Sequence, residues 1–223
     1  MTVCIAALYG NGAGCILVSD KMTTARIPLM YEFENEEVEK IAKIADNIYV
    51  MISGDVLFAN EVKNNAKQHI ANKINPEPNG ISHTLMNSYQ AVRRTRVIRN
   101  ELEPRGLDIN KYYEIQQKIL GPIVQMIDNA FRLFNPNLDL IIAGKDETTC
   151  HICTIGSPGD MVCHDPIGFV SIGSGGPHAM YSLIDSGYKK SLDKETVKKF
   201  VEAAKKRSEV APGVGKETKI IEL

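Results

Sequence analysis

Thr2-Val3-Cys4-Ile5-Ala6-Ala7-Leu8, Tyr9-Gly10-Asn11-Gly12 and Gly14-Cys15-Ile16-Leu17-Val18-Ser19 open the chain as two apolar runs around a glycine-bearing turn. Glycine adopts positive φ at no steric cost, so residues 9–12 read as a tight turn and the runs beside them as an opening β-hairpin. A second pair follows the polar segment 25–39: Lys40-Ile41-Ala42-Lys43-Ile44 and Ile48-Tyr49-Val50-Met51-Ile52 flank Asp46-Asn47 and end on Ser53-Gly54-Asp55.

Beyond Asp55 the apolar period changes to that of a helix. Val56, Phe58, Val62, Ala66, Ile70 and Ile74 predict a helix over 56–74 with Asp55 as its N-cap, stopped by Pro76, Pro78 and Gly80. Helical character resumes over 82–103, breaks at Pro104-Arg105-Gly106, and returns over 109–134 with a kink expected at Gly121-Pro122. Strand patterns follow at 138–143, 149–155 and 168–172, with turns at Gly144-Lys145-Asp146 and Ser157-Pro158-Gly159-Asp160. Helices over 176–186 and 193–208 and a closing strand over 217–222 complete the chain. This order predicts an α+β fold, two sheets face to face with helices outside, in one domain over residues 2–223.

The 223 residues are 43% hydrophobic, enough for a sizeable core, and the 24% that are charged nearly cancel to a net charge of -1. Bulk attraction to nucleic acid or an acidic membrane is therefore not expected. No run approaches the roughly 20 apolar residues that span a bilayer, and no basic segment leads into an apolar one at the N-terminus, so a cytoplasmic location is expected. Cys4, Cys15, Cys150, Cys153 and Cys163 are odd in number and sit among apolar residues, as buried thiols in a reducing compartment do. Cys150-His151-Ile152-Cys153 has C-x-x-C spacing but no second pair, and Gly173-Ser174-Gly175-Gly176 lacks the lysine of a phosphate-binding loop. His69, His83, His151, His164 and His178 show no ligand spacing, so neither a metal nor a cofactor is expected.

Chemistry enters at Thr2. A small second residue favours removal of Met1, and a threonine at a new N-terminus carries a nucleophilic hydroxyl and its own base, an α-amine of pKa about 7.7–8.0. At the head of a core strand both groups would be held in position. Leu17-Val18-Ser19-Asp20-Lys21-Met22-Thr23-Thr24, Lys40-Ile41 and Ser53-Gly54, with Gly173-Ser174-Gly175, Val214-Gly215 and Lys219-Ile220-Ile221 downstream, resemble the proteasome β subunits and the bacterial HslV peptidase. The resemblance spans nearly the whole chain outside the helical middle.

It implies a four-layer α/β/β/α sandwich of the N-terminal-nucleophile hydrolase type, hydrolysing peptide amide bonds through an acyl-enzyme on Thr2. Asp20 and Lys40 would tune the site, the Gly54 N–H would serve the oxyanion, and Ser174 would contact the threonine amine. Thr23, Thr24, Ile52 and Val56 fall on substrate-contact positions and imply a cleft with hydroxyl and branched apolar walls. Peptide or protein substrates, a homo-oligomeric ring or stack, and an ATPase or regulatory partner are implied as well. The same intermediate would serve an acyl-transferring ligase or transpeptidase, and the same sandwich a non-catalytic structural subunit.

Two departures stand out. Where some members carry an aspartate and a serine beside the nucleophile, this chain has Ser208 and Ala211. The helical middle is also enlarged over residues 93–125, where Arg93, Arg94, Arg96, Arg99 and Arg105 form the densest basic run. A solvated helix face, a partner-docking surface and a lid over the cleft are the readings open to it.

Overall fold

Alternate residues of the opening hairpin belong to two different cores. Val3, Ile5, Ala7, Ile16 and Val18 face one cluster, while Cys4, Ala6, Leu8, Cys15 and Leu17 face another. A strand buried on both faces needs a continuous apolar run, which is what residues 3–8 and 14–18 supply. The computed structural model describes residues 2–25, 31–34, 39–70 and 77–223.

β1 (Cys4–Tyr9) and β2 (Gly14–Asp20) are the inner pair of a four-stranded antiparallel sheet, flanked by β10 (Phe169–Ile172) on β1 and β11 (Thr218–Glu222) on β2. A second antiparallel sheet runs in simple order through β5 (Ile41–Ala45), β6 (Ile48–Gly54), β7 (Leu138–Lys145), β8 (Cys150–Gly156) and β9 (Asp160–Cys163). Met51, Ile141, Ala143 and Ile152 of this sheet meet Cys4, Ala6 and Leu17 of the first in one cluster. Each fully buried Leu, Ile or Met among them contributes about 1.5–3 kcal/mol.

The outer faces are covered by helices. Val50, Ile52, Leu138 and Leu140 pack beneath α1 (Val56–Ile70) and α2 (Pro78–Val97). Ile5, Ile16 and Val18 pack beneath α5 (Gly176–Asp185) and α6 (Lys194–Ser208). Among the described residues the fold is thus α+β, with two larger antiparallel sheets, a two-stranded ribbon and six α-helices.

Several expected boundaries move for identifiable reasons. The polar segment 25–39 takes part in the ribbon β3 (Met22–Ala25) and β4 (Tyr31–Glu34), whose pairing an alternation test on apolar residues does not see; residues 26–30 and 35–38 of that segment lie outside the described residues. α1 buries Phe58, Val62, Ala66 and Ile70 with Asp55 Oδ1 accepting from Phe58 N at 2.9 Å, but Val56 is exposed, and residues 71–74 of the expected helix lie outside the described residues. α2 begins four residues earlier than its apolar pattern, at Pro78, because proline is favoured in a first helical turn where its missing N–H has no partner to lose. The edge strand β9 starts at Asp160, inside an expected turn, and is too short and exposed to show a period.

The kink expected at Gly121-Pro122 is a full break for the same reason as at Pro78. α3 (Ile109–Ile115) ends, and α4 (Gly121–Leu133) starts with Pro122 in its first turn. Leu102, Tyr112 and Ile127 give this helical middle a small core of its own. Two of the five arginines in its basic run tie the structure together. Arg93 donates to the carbonyls of Phe131, Phe134 and Arg132 at 2.8, 2.8 and 3.1 Å, capping the C-terminal end of α4. Arg96 pairs with Glu61 at 3.0 Å and lies over the Phe58 ring, tying α2 to α1. Arg94, Arg99 and Arg105 remain exposed, Arg105 bonded to Glu101.

Arg93→Ala is therefore expected to lower stability by about 1–3 kcal/mol, because three helix-end carbonyls lose a cationic donor. Arg94→Ala should change it by less than about 0.5 kcal/mol. Urea denaturation followed by circular dichroism separates the two; equal effects would contradict the capping role.

Candidate active site

Asp20 ends β2 with its carboxylate fully buried. Such a charge is tolerable only where donors surround it. Among the described residues five converge: Oδ1 accepts from Thr2 Oγ1 at 2.5 Å, Val3 N at 2.9 Å and Lys40 Nζ at 2.8 Å, and Oδ2 accepts from Met22 N at 3.1 Å and Gly215 N at 3.0 Å. Burial pushes the Asp20 pKa up, but the Lys40 ammonium and the hydrogen bonds outweigh it and the net displacement is downward. The carboxylate stays charged at neutral pH.

Thr2 precedes β1 by two residues and is 3% exposed. It is fixed without belonging to a strand: its carbonyl accepts from Gly175 N at 3.1 Å, and its nitrogen donates to Ser174 Oγ at 3.3 Å. Gly173 allows this approach. Its φ is +90°, and a Cβ there would fall 2.3 Å from the Thr2 carbonyl oxygen and 2.9 Å from Ser53 Oγ. Thr2 thus has its hydroxyl on a charged pair and its nitrogen on a serine.

Lys40 stands just before β5 with a side chain 10% exposed. Gly54 ends β6 at φ +115°, where a Cβ would lie 1.8 Å from the Asn137 carbonyl oxygen, so no other residue fits. A cavity of about 450 Å³ opens between Ser53-Gly54 on one side and Gly173-Ser174 on the other. Thr2, Asp20, Lys40 and Ser174 are therefore in direct contact, with Gly54 across the cavity from Ser174.

The four substrate-contact positions are less coherent. Thr23, on β3 close behind Asp20, keeps Oγ1 buried with no hydrogen-bond partner among the described residues. Thr24 pairs with Glu32 in the ribbon, and its side chain lies outside the described residues. Ile52 packs under α1 and α2, one residue out of phase with Ser53, so its side chain does not share Ser53's face; only its carbonyl turns inward, accepting from Cys4 Sγ at 3.6 Å. Val56 is exposed at the first residue of α1.

Two contributors were not singled out from the sequence. Ser53 lies against Gly173, with its Oγ 2.9 Å from where a Cβ would stand there, and its signal was the Ser53-Gly54 pair closing β6. Lys205 looks like one of several lysines on a solvated helix, yet it is 3% exposed and donates to Glu209 Oε1 at 2.8 Å and to the carbonyls of Gly215 and Lys216 at 2.9 and 2.6 Å. It holds the turn whose Gly215 N–H reaches Asp20. Its signal was the apolar period of α6, in which 197, 201, 204, 205 and 208 share the buried face. Ser208 is buried there, but its hydroxyl donates to Lys205 O at 2.6 Å, and Ala211 packs in the core.

Four of the five cysteines are buried as expected and unsuited to nucleophilic work, while Cys163 is exposed on the edge strand β9. Burial pushes Cys4 and Cys153 up to about 12 and Cys150 to about 11. Cys150 enters the inter-sheet core, while Cys153 lies opposite Cys163 on β9. Among the described residues no group of three histidine, cysteine or acidic side chains is placed to hold a metal ion, and no helix is long and apolar enough to cross a membrane. Neither the family models nor the curated proteins include a match to this chain.

Asp20→Asn should cost about 3–5 kcal/mol at pH 7, since it leaves Lys40 without its charge partner and turns an amide into a ring of donors. The depressed Asp20 pKa fixes the sign of the pH dependence. Its stabilisation is fully present above the unfolded-state value and is lost as pH falls through the lower folded-state value, so the gap between wild type and variant should close in acid. A gap that stays constant from pH 7 to acid, measured by denaturant titration, would refute the charged role.

Proposed function

We propose that the chain is an N-terminal-nucleophile hydrolase of the proteasome β-subunit and HslV kind, cleaving peptide amide bonds with Thr2 after removal of Met1. One observation carries the reading. The hydroxyl of Thr2 lies 2.5 Å from a carboxylate paired with Lys40 at 2.8 Å, while the nitrogen of the same residue lies 3.3 Å from Ser174 Oγ. Support comes too from the stacking of one helix pair, two sheets and a second helix pair around three cores, which we read as the α/β/β/α sandwich of that family.

In the proposed reaction, loss of Met1 turns the Thr2 nitrogen into an α-amine. Near neutral pH part of it is unprotonated and takes the proton of Oγ1, directly or through a water, as Oγ1 attacks the substrate carbonyl carbon. Lys40, anchored by Asp20, supplies positive charge beside the forming alkoxide. The Gly54 N–H steadies the oxyanion of the tetrahedral intermediate. Collapse breaks the C–N bond, and the amine returns its proton to the leaving nitrogen. Water then attacks the acyl-enzyme by the reverse proton path, releasing the acid and restoring Thr2. Ser174 orients the amine throughout.

A ring or stack of identical subunits in the cytoplasm, fed by an ATPase or regulatory partner, belongs to the same proposal. The helical middle over 93–125 would then be an addition to the shared domain.

Intact mass spectrometry before and after a peptide epoxyketone or vinyl sulfone tests the chemistry. Loss of Met1 and a single adduct on Thr2 are expected; retained Met1 with no adduct would refute the proposal and favour a structural subunit. Correctly processed Thr2→Ala should lose turnover on the order of 10⁶-fold with the fold intact. Lys40→Ala should lose on the order of 10²–10³-fold.

A further inference from the structure

Asp139 is an acid with no assigned partner at the edge of the site. It lies on β7 directly opposite Ser53 of β6, so the two side chains leave the sheet on the same face. That face is the one Met51 and Ile141 present to the other sheet, two residues further along each strand. Past Ser53 and Asp139 the sheets part, and the cavity of about 450 Å³ fills the mouth. A second cavity of about 420 Å³ shares Asp139, Gly156 and Gly173 with it and runs on past Thr154, Ser171 and Met180. Asp139 stands where they join.

Asp139 is exposed, so water reaches its carboxylate, and no cation of the protein stands beside it in either cavity. Gly156 makes room for the carboxylate, since a Cβ there would lie 2.8 Å from Asp139 Oδ1. No lysine or arginine lines either cavity, and among the described residues the Asp139 carboxylate has no hydrogen bond or ion pair. Partial loss of water with nothing to compensate it pushes its pKa up. A cation brought by a ligand would supply the missing partner.

The side of the scissile bond follows from the Thr2 nitrogen. The group that returns a proton to the leaving nitrogen must stand beside it, and that nitrogen is bound to Ser174, which lines the same cavity as Asp139. We propose that Asp139 selects substrates whose leaving group carries a lysine- or arginine-type side chain next to the scissile bond. The inference rests on the Thr2 reading for the reaction and on the cavity for the selectivity.

Peptides differing only in the residue after the scissile bond, Lys, Leu or Glu, test it by competition and mass-spectrometric product counting. Wild type should favour Lys over Glu by about tenfold in kcat/KM, Asp139→Asn should lose the preference, and Asp139→Lys should reverse it, with the Leu peptide cleaved about equally by all three. Equal use of Lys and Glu by wild type, or a preference that survives in Asp139→Asn, would overturn the proposal. Absence of both turnover and a Thr2 adduct would instead overturn the Thr2 reading. In that event anisotropy of a dye-labelled Lys-initial peptide decides the selectivity alone: binding about tenfold weaker in Asp139→Asn supports the cation site, and equal binding removes it.

Discussion

The buried carboxylate of Asp20 is the constraint on which the rest of the site depends. It sits at the end of an inner strand of the sheet, where no water can solvate it, so its neighbours must supply every hydrogen bond. They come from the residues before β1, the start of β3, the start of β5 and the turn before β11. One charge thereby gathers three distant parts of the chain and fixes the turn into β3. Satisfying it and assembling the pocket around Thr2 are the same folding event.

The two-faced burial of β1 and β2 explains why Thr2 can be held so closely outside any strand. With Val3 in the helix-facing core and Cys4 in the inter-sheet core, the backbone leading into β1 has no freedom to rotate. Gly173 and Gly175 then bring a loop against it closely enough that a methyl group at either position would collide with Thr2, Ser53, Val3 or Ser208. Lys205 completes the frame from α6 by holding the Gly215 turn. The supporting shell is therefore built from core strands and helices, the parts of a fold that hold side-chain positions best.

Where the chain follows a period, its fold was legible. The opening hairpin, β6, α1, α5 and α6 all follow from apolar spacing, and Asp55 and Asp193 mark their helices through the side-chain caps they make. What escaped lacks a period. The β3–β4 ribbon is polar, β9 is a short exposed edge, and the first turn of α2 is hidden behind Pro78. At the site, Thr2 was legible as a small residue after Met1, while Asp20, Lys40, Gly54 and Ser174 came from the family resemblance and not from any period. Ile52 shows the limit of carrying positions over from a resemblance, since one residue of phase decides which core receives a side chain. The basic run of the helical middle shows another: composition cannot tell Arg93, which caps a helix, from Arg94, which meets solvent.

The Asp20–Lys40 pair does not by itself argue for catalysis. Three backbone N–H groups and an ammonium all point at Asp20, and an asparagine there would turn its own donors towards them, so the fold requires a carboxylate whatever Thr2 does. What a purely structural account leaves over is different. It explains the Thr2 hydroxyl as one more donor to Asp20, but gives no reason for the nitrogen of the same residue to rest on Ser174, nor for a cavity opening between Gly54 and Gly173 beside it. The functional weight therefore rests on the nitrogen of Thr2, held in the same residue as that hydroxyl, and on the empty space beside them.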